Sequence, residues 1–163
     1  SYFNMKYIAH INNTSGKIIT ISFPTANNPA EGVADGIRVL YITESNLPTG
    51  CDDLLFFIQQ HWYDTSAGKF IKIGMPPNDY ATWNLSSSSW TWDSNEILKE
   101  IRQYRNGMLF GTDWTQTPDN TLTETQREEA RTYRTALRNI TNGLTIPDHI
   151  DDMVWPTRPS FLS

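Results

Sequence analysis

Cysteine is almost missing from this sequence: Cys51 is the single one in 163 residues, so no intrachain disulfide can form. That removes the small disulfide-stapled classes and fits a chain that matures in a reducing cytoplasm. The N-terminus also lacks the charged, then apolar, then small-residue order of a secretory signal. Long hydrophobic runs are missing as well. Leu54-Leu55-Phe56-Phe57-Ile58 and the stretch from Ile18 to Phe23 fall far short of the ~20 residues that span a bilayer, so no membrane partner is expected. Positive charge is scarce: 13 Lys and Arg face 18 Asp and Glu, a net charge of −5. A generic nucleic-acid binder needs concentrated positive charge to displace counterions from phosphates, so no nucleic-acid partner is expected. No Gly-rich phosphate loop or Gly-x-Ser-x-Gly elbow occurs, which leaves nucleotide and serine-hydrolase chemistry without an anchor.

What is present describes a folded chain. Hydrophobic residues make up 38% and charged residues 19%, too apolar and aromatic for a disordered tail. The length suits one respectable core or two small ones. Met5-Lys6-Tyr7-Ile8 reads as a natural start, with Ser1 to Asn4 as added residues.

Tyr7 to Ile11 and Ile18 to Phe23 are rich in β-branched residues and flank Asn13-Thr14-Ser15-Gly16, the chemistry of a hairpin. Residues 24–36 read as a loop, with a third strand over Ile37 to Thr43. Asp52-Asp53 suits the start of a short helix through Ile58, but the same apolar run also fits a buried strand. Two aromatic units follow, Trp62 to Ile71 and Trp83 to Trp92, each placing aromatics on two short strands across a polar turn and joined through Pro76-Pro77.

The period then changes. Asp93-Ser94-Asn95-Glu96 has the spacing of a capping box, and Ile97, Leu98, Ile101, Tyr104, Met108 and Leu109 share one helical face, predicting a helix from about Ser94 to Leu109 with an end weakened by Gly107 and Gly111. Thr123-Glu124-Thr125-Gln126 opens a second helix with Ala130, Tyr133, Leu137 and Ile140 on one face, stopped by Asn142-Gly143. The linker over 111–120 lets the two pack antiparallel. The expected fold class is therefore α+β. A β-rich region over 1–59 and aromatic hairpins over 60–93 precede a helical hairpin with an extended Pro-rich tail over 94–163.

The ordered run Arg105-Asn106-Gly107-Met108-Leu109-Phe110-Gly111-Thr112-Asp113-Trp114-Thr115-Gln116, then Pro118-Asp119, then Tyr133-Arg134-Thr135-Ala136-Leu137-Arg138, and finally Trp155-Pro156-Thr157-Arg158-Pro159, resembles the C-terminal module of phage tail assembly chaperone and tail-fibre assembly proteins. The resemblance covers about a third of the chain, and the two aromatic units look like hairpins that precede this module in phage tail proteins. It implies a non-enzymatic role in tail or tail-fibre assembly, or as a minor tail component. The implied partners are tail or tail-fibre proteins, or a second copy of the chain, met in the host cytoplasm during assembly or in the virion tail. No cofactor is implied. The module-defining positions are Asp113, Trp114, Gln116, Tyr133, Arg134, Leu137, Arg138, Trp155 and Pro156.

Candidate chemistry is sparse. His10, His61 and His149 lack the close spacing of a zinc site, and Cys51 reads as a small packed hydrophobe before it reads as a nucleophile. Asp113 and Asp119 flank Trp114 as an acid/base pair would, although a loop position favours acceptance of backbone N–H groups in the turn. Arg127, Arg131, Arg134 and Arg138 form a stripe on the second helix, which by default is a solvated mixed-charge face. Trp155 is expected to return along the helices and close a core near Trp114. Trp62, Tyr63, Trp83, Trp90 and Trp92 form a candidate aromatic surface for a host glycan, a reading that requires their rings to be exposed in a row; the same rings also suit hairpin cores.

Overall fold

The computed structural model describes residues 4–162, so the reading of the first residues as added lies, except for Asn4, outside the described residues. The chain divides into two compact units, Ser1–Trp92 and Asp93–Ser163. The fold class is α+β: antiparallel strands dominate the first unit and two longer helices the second.

In the first unit, β1 (Met5–Asn12) pairs antiparallel with β2 (Ile18–Ser22). The Asn12 side-chain oxygen accepts the Thr14 and Ser15 N–H groups at 2.9 Å each, and Gly16 takes a φ of 81° to complete the turn. A four-stranded sheet results, in the order β2-β1-β4-β3, with β3 at Gly32–Ala34 and β4 at Ile37–Thr43. β3 corrects the expectation of an unbroken loop over 24–36. Its signal was Asp35-Gly36, whose φ angles of 52° and 76° make the two-residue hairpin turn that this dipeptide favours.

α1 (Leu54–Gln60) settles the ambiguous apolar run as a helix. The Asp53 carboxylate accepts the Phe56 N–H at 3.1 Å, which satisfies one of the orphan donors of the first turn. Phe57 is buried among Ile11, Ile18, Ile21, Ile42 and Cys51. Two hairpins complete the unit, β5 (His61–Asp64) with β6 (Lys69–Lys72), and β7 (Thr82–Asn84) with β8 (Ser89–Thr91). Register places Tyr63 opposite Phe70 and Trp83 opposite Trp90, as edge-to-face ring pairs with centroids 5.1 and 5.4 Å apart. The first hairpin is tied to the sheet where the Tyr63 N–H donates to the Gly16 carbonyl at 2.8 Å.

The second unit contains α2 (Ser94–Gly111) and α3 (Glu124–Arg138). Asp93 caps α2 by accepting the Asn95 N–H at 2.9 Å; Glu96, expected to complete a capping box, instead pairs with Lys99 at 3.0 Å. α2 continues through Gly107 and Gly111. α3 does have the reciprocal capping box of Thr123 and Gln126, and buries Ala130, Tyr133 and Leu137 on one face. It ends at Arg138, before Asn142-Gly143, so Gly143 with φ 65° serves a later turn and not the helix stop. Arg134 reaches Leu109, and one turn further on Arg105 reaches Arg138, the ordering of an antiparallel pair. Beyond α3 the chain forms a short 3-10 turn at Ile150–Asp152, an extended stretch through Trp155 and Pro156, and a last 3-10 turn at Ser160–Leu162. Leu162 is buried with Tyr133 and Leu137, and Met108, Leu109, Trp155 and Phe161 pack around them.

Candidate functional site

Several residues of the family-like pattern, Leu109, Thr112, Asp113 and Arg134, meet at the C-terminal end of α2. A helix end leaves carbonyl groups without intrahelical partners. Here Arg134, entering from α3, donates from Nη1 to the Leu109 carbonyl at 2.7 Å and to Thr112 Oγ1 at 2.8 Å, and from Nη2 to Asp113 Oδ1 at 2.9 Å. Thr112 is fully buried, so its hydroxyl has to be satisfied locally. It accepts from Arg134 and directs its own proton at the Met108 and Leu109 carbonyls, 3.2 and 3.1 Å away. The following 3-10 turn, Asp113–Gln116, extends the network. Thr115 Oγ1 donates to the Thr112 carbonyl at 2.7 Å, Gln116 donates to Thr115 Oγ1 at 2.9 Å, and Asn120 donates to the Thr115 and Thr117 carbonyls at 2.9 and 2.7 Å. Arg105 repays the arrangement from α2 by donating to the Arg138 carbonyl at the end of α3, at 3.4 Å.

Several sequence expectations change at this point. The arginine stripe is not one solvated face: Arg134 is buried at 7% exposure, whereas Arg127 pairs with Glu124 and Arg131 with Glu124 and Glu128. Burial converts Arg134 from a surface charge into a tie between the helices. The Asp113 carboxylate receives the Arg134 guanidinium, in place of the backbone N–H groups expected for a turn residue, and Asp119 lies exposed on the loop. Trp155 does not close a core with Trp114. Its ring partner is Tyr104, 6.2 Å between centroids, and Trp114 is 46% exposed. The 3-10 turn after α2 points the Trp114 ring outward, while the tail carries Trp155 back toward α2.

Of the remaining module positions, Tyr133 and Leu137 are buried, Pro156 is half-buried, and Gln116 and Arg138 are exposed. Sequence reasoning passed over Phe110, which lies four residues before Trp114 and is 81% exposed. Its signal was periodicity: Phe110 falls off the face shared by Ile97, Ile101 and Met108, and an aromatic ring off the apolar stripe has no core to enter.

The aromatic row over the hairpins is corrected in part. Trp62 and Tyr63 are buried, because β5 packs its side chains into the first unit, and Trp83, Trp90 and Trp92 are half-buried. Trp83 and Trp90 present edge against face to each other, so no coplanar exposed row spans the five residues.

The histidines and cysteine serve local structure. His10 is paired with Thr20 across β1 and β2, and His149 accepts the Asp151 N–H through Nδ1 at 3.0 Å. His61 stacks on Phe57 with centroids 3.9 Å apart; burial lowers its pKa, the bond to the Phe57 carbonyl opposes that, and nearby Lys72 adds to it. Burial, helped by Asp52, raises the pKa of the Cys51 thiol. Among the described residues no group of three or more His, Cys, Asp or Glu side chains is placed to hold a metal ion, and no helix is long and apolar enough to cross a membrane.

No curated protein and no solved structure matches the chain. Residues 98–160 match the family model described as phage tail assembly chaperone protein, so the resemblance carried by the motifs from Arg105 to Pro159 is to that family, and the match lies wholly within the C-terminal unit.

Proposed function

We propose that this chain acts in phage tail assembly by binding another tail protein, without catalysing a reaction. The family match supports the assembly role. Support for binding comes from how the C-terminal unit distributes its side chains. The polar groups at the end of α2 are engaged with one another, whereas Phe110 and Trp114, both within the matched segment, stand 81% and 46% exposed. Exposed aromatics next to a rigid hydrogen-bonded turn have the chemistry of an interface anchor: a large apolar area held at low entropic cost. The module residues Asp113 and Arg134 hold the turn that presents them, and Tyr133, Leu137 and Trp155 belong to the underlying core. The partner is a tail or tail-fibre protein met in the host cell during assembly.

The test is co-expression of the chain with the tail and tail-fibre proteins of the same phage, followed by co-purification and size-exclusion chromatography. A complex that forms with one of them and is weakened by Phe110→Ser or Trp114→Ala, with the fold intact by circular dichroism, is the expected result. A complex indifferent to both substitutions moves the contact elsewhere. Mass spectrometry of purified virions separates a chaperone, absent from them, from a minor tail component, present in them. Homo-oligomers report in the same chromatography. The glycan-binding alternative gains no support from the hairpins, because burial of Trp62 and Tyr63 removes two of its five rings.

A further inference from the structure

Asparagine followed by glycine occurs twice in the chain, at Asn106-Gly107 and at Asn142-Gly143. This dipeptide is chemically labile, because glycine has no side chain to shield its amide nitrogen from the side-chain carbonyl of the preceding asparagine. The fold treats the two copies differently.

Asn106-Gly107 lies inside α2, whose hydrogen-bond ladder uses the Gly107 N–H and fixes the backbone on both sides of it. The Asn106 side chain is engaged as well, with Oδ1 accepting from Arg105 Nε at 2.7 Å. Attack by the Gly107 nitrogen would require this part of the helix to open first. Asn142-Gly143 lies in the turn after α3, and both residues are exposed. The N–H groups on either side of Gly143 are bonded, Asn142 to the Asn139 carbonyl at 2.9 Å and Leu144 to the Thr141 carbonyl at 3.4 Å. Among the described residues no acceptor takes the Gly143 N–H itself. Gly143 has a φ of 65°, and the space a Cβ would occupy is open. The Asn142 side chain makes one long bond among the described residues, from Nδ2 to Asn139 Oδ1 at 3.3 Å. Solvent therefore reaches both the nucleophile and the leaving group.

We propose that Asn142 is a site of spontaneous deamidation in the folded protein, and that Asn106 is protected from it by its helix. The Gly143 nitrogen gives up its proton to solvent base and attacks Asn142 Cγ. A nitrogen–Cγ bond forms, the Cγ–Nδ2 bond breaks, and the side-chain nitrogen takes up a proton and leaves as ammonia. The product is a cyclic succinimide, which water opens at either carbonyl. Breaking the new nitrogen–Cγ bond gives aspartate. Breaking the original peptide bond gives isoaspartate, in which the chain runs through Cβ. The sum consumes one water, releases one ammonia and involves no oxidation or reduction. It leaves a carboxylate just past the C-terminal end of α3, where negative charge is disfavoured, and the isoaspartate form lengthens the backbone that leads to Trp155. The site is independent of the partner-binding reading, which rests on Phe110 and Trp114.

The test incubates the full chain in mildly alkaline oxygen-18 water, once folded and once in urea. Both Asn-Gly steps are followed by peptide mapping with electron-transfer fragmentation, which separates aspartate from isoaspartate. Product formed during the incubation carries oxygen-18, which sets it apart from product formed during digestion. In the folded protein Asn142 is expected to convert at least about tenfold faster than Asn106, because opening of α2 limits the latter. In urea the two should convert at similar rates. Asn142→Gln should remove the folded-state product at 142 and leave Asn106 as slow as before. The proposal is overturned if Asn142 keeps its amide in the folded protein, or if Asn106 converts there as fast as Asn142. It is equally overturned if Asn106 lags by the same factor in urea, which would place the difference in local sequence and not in the fold.

Discussion

Replacing Arg134 with Met tests the physical account of the C-terminal unit most directly, because Met keeps the apolar stem and removes only the guanidinium. Two of the lost bonds go to a carbonyl and a buried hydroxyl, and hydrogen bonds from a charged donor contribute ~1.5–3 kcal/mol each. The third goes to Asp113, whose side chain is 59% exposed, so solvent screening limits that pair to about 1 kcal/mol or less. Against these stand the desolvation of a charge at 8% side-chain exposure and a buried Nε without a partner, both relieved by Met. The net expectation is a loss of about 3 kcal/mol. With a urea m-value of about 1.5 kcal/mol/M, that lowers the midpoint of the C-terminal unit by roughly 2 M. The two units can unfold separately, so the titration is followed residue by residue in nitrogen-15 spectra, with Ile101 and Leu137 reporting the second unit and Ile11 and Ile42 the first. Asp113→Asn should cost no more than about 1 kcal/mol. A stability for Arg134→Met within about 0.5 kcal/mol of wild type would refute the Arg134 tie between the helices, and so would an Asp113→Asn variant as unstable as Arg134→Met.

Other substitutions check other joints. A Cβ at Gly16 would run into the Tyr63 carbonyl, whereas one at Gly36 meets open space, and both glycines have positive φ. Gly36→Ala should therefore cost only the ~1–2 kcal/mol of left-handed strain, and Gly16→Ala clearly more, by thermal unfolding of the first unit. His61 has its pKa lowered by burial, so the unfolded chain takes up the proton first as pH falls. Stability of the first unit from this group is complete above about pH 6.5 and is lost as pH falls through the folded pKa, and His61→Gln should flatten that part of the urea-midpoint profile. Trp155→Ala should destabilise the second unit by about 2 kcal/mol, because its half-buried ring covers the Leu137 core; Phe110→Ser, at the surface, should stay within about 0.5 kcal/mol in the same melt.

Surface and core are separated within a single motif. The segment from Thr112 to Gln116 sets two buried threonines, three residues apart, among exposed residues, because Thr112 and Thr115 face the helix end while Asp113 and Trp114 face solvent. The buried half explains why these residue types stand together: a hydroxyl beside a helix C-terminus can bond the last carbonyls and still accept from an arginine. The exposed half offers Trp114, with Phe110, to a partner.

Local chemistry alone determined a good deal of this protein. Period and capping residues located α3 and its box at Thr123 and Gln126, β-branched runs located β1, β2 and β4, and cross-strand aromatics located both small hairpins. These features depend on neighbours within a few residues, and the sequence lists those neighbours. Asp35-Gly36 was equally legible and would have revealed β3. The tertiary structure decided the rest. The role of Arg134 depended on a helix end 25 residues away, and that of Trp155 on whether a tail without regular structure turns toward Tyr104 or Trp114. Periodicity reports which side of an element is apolar, but not what packs against it, and in the C-terminal unit the candidate binding surface is set by that second fact.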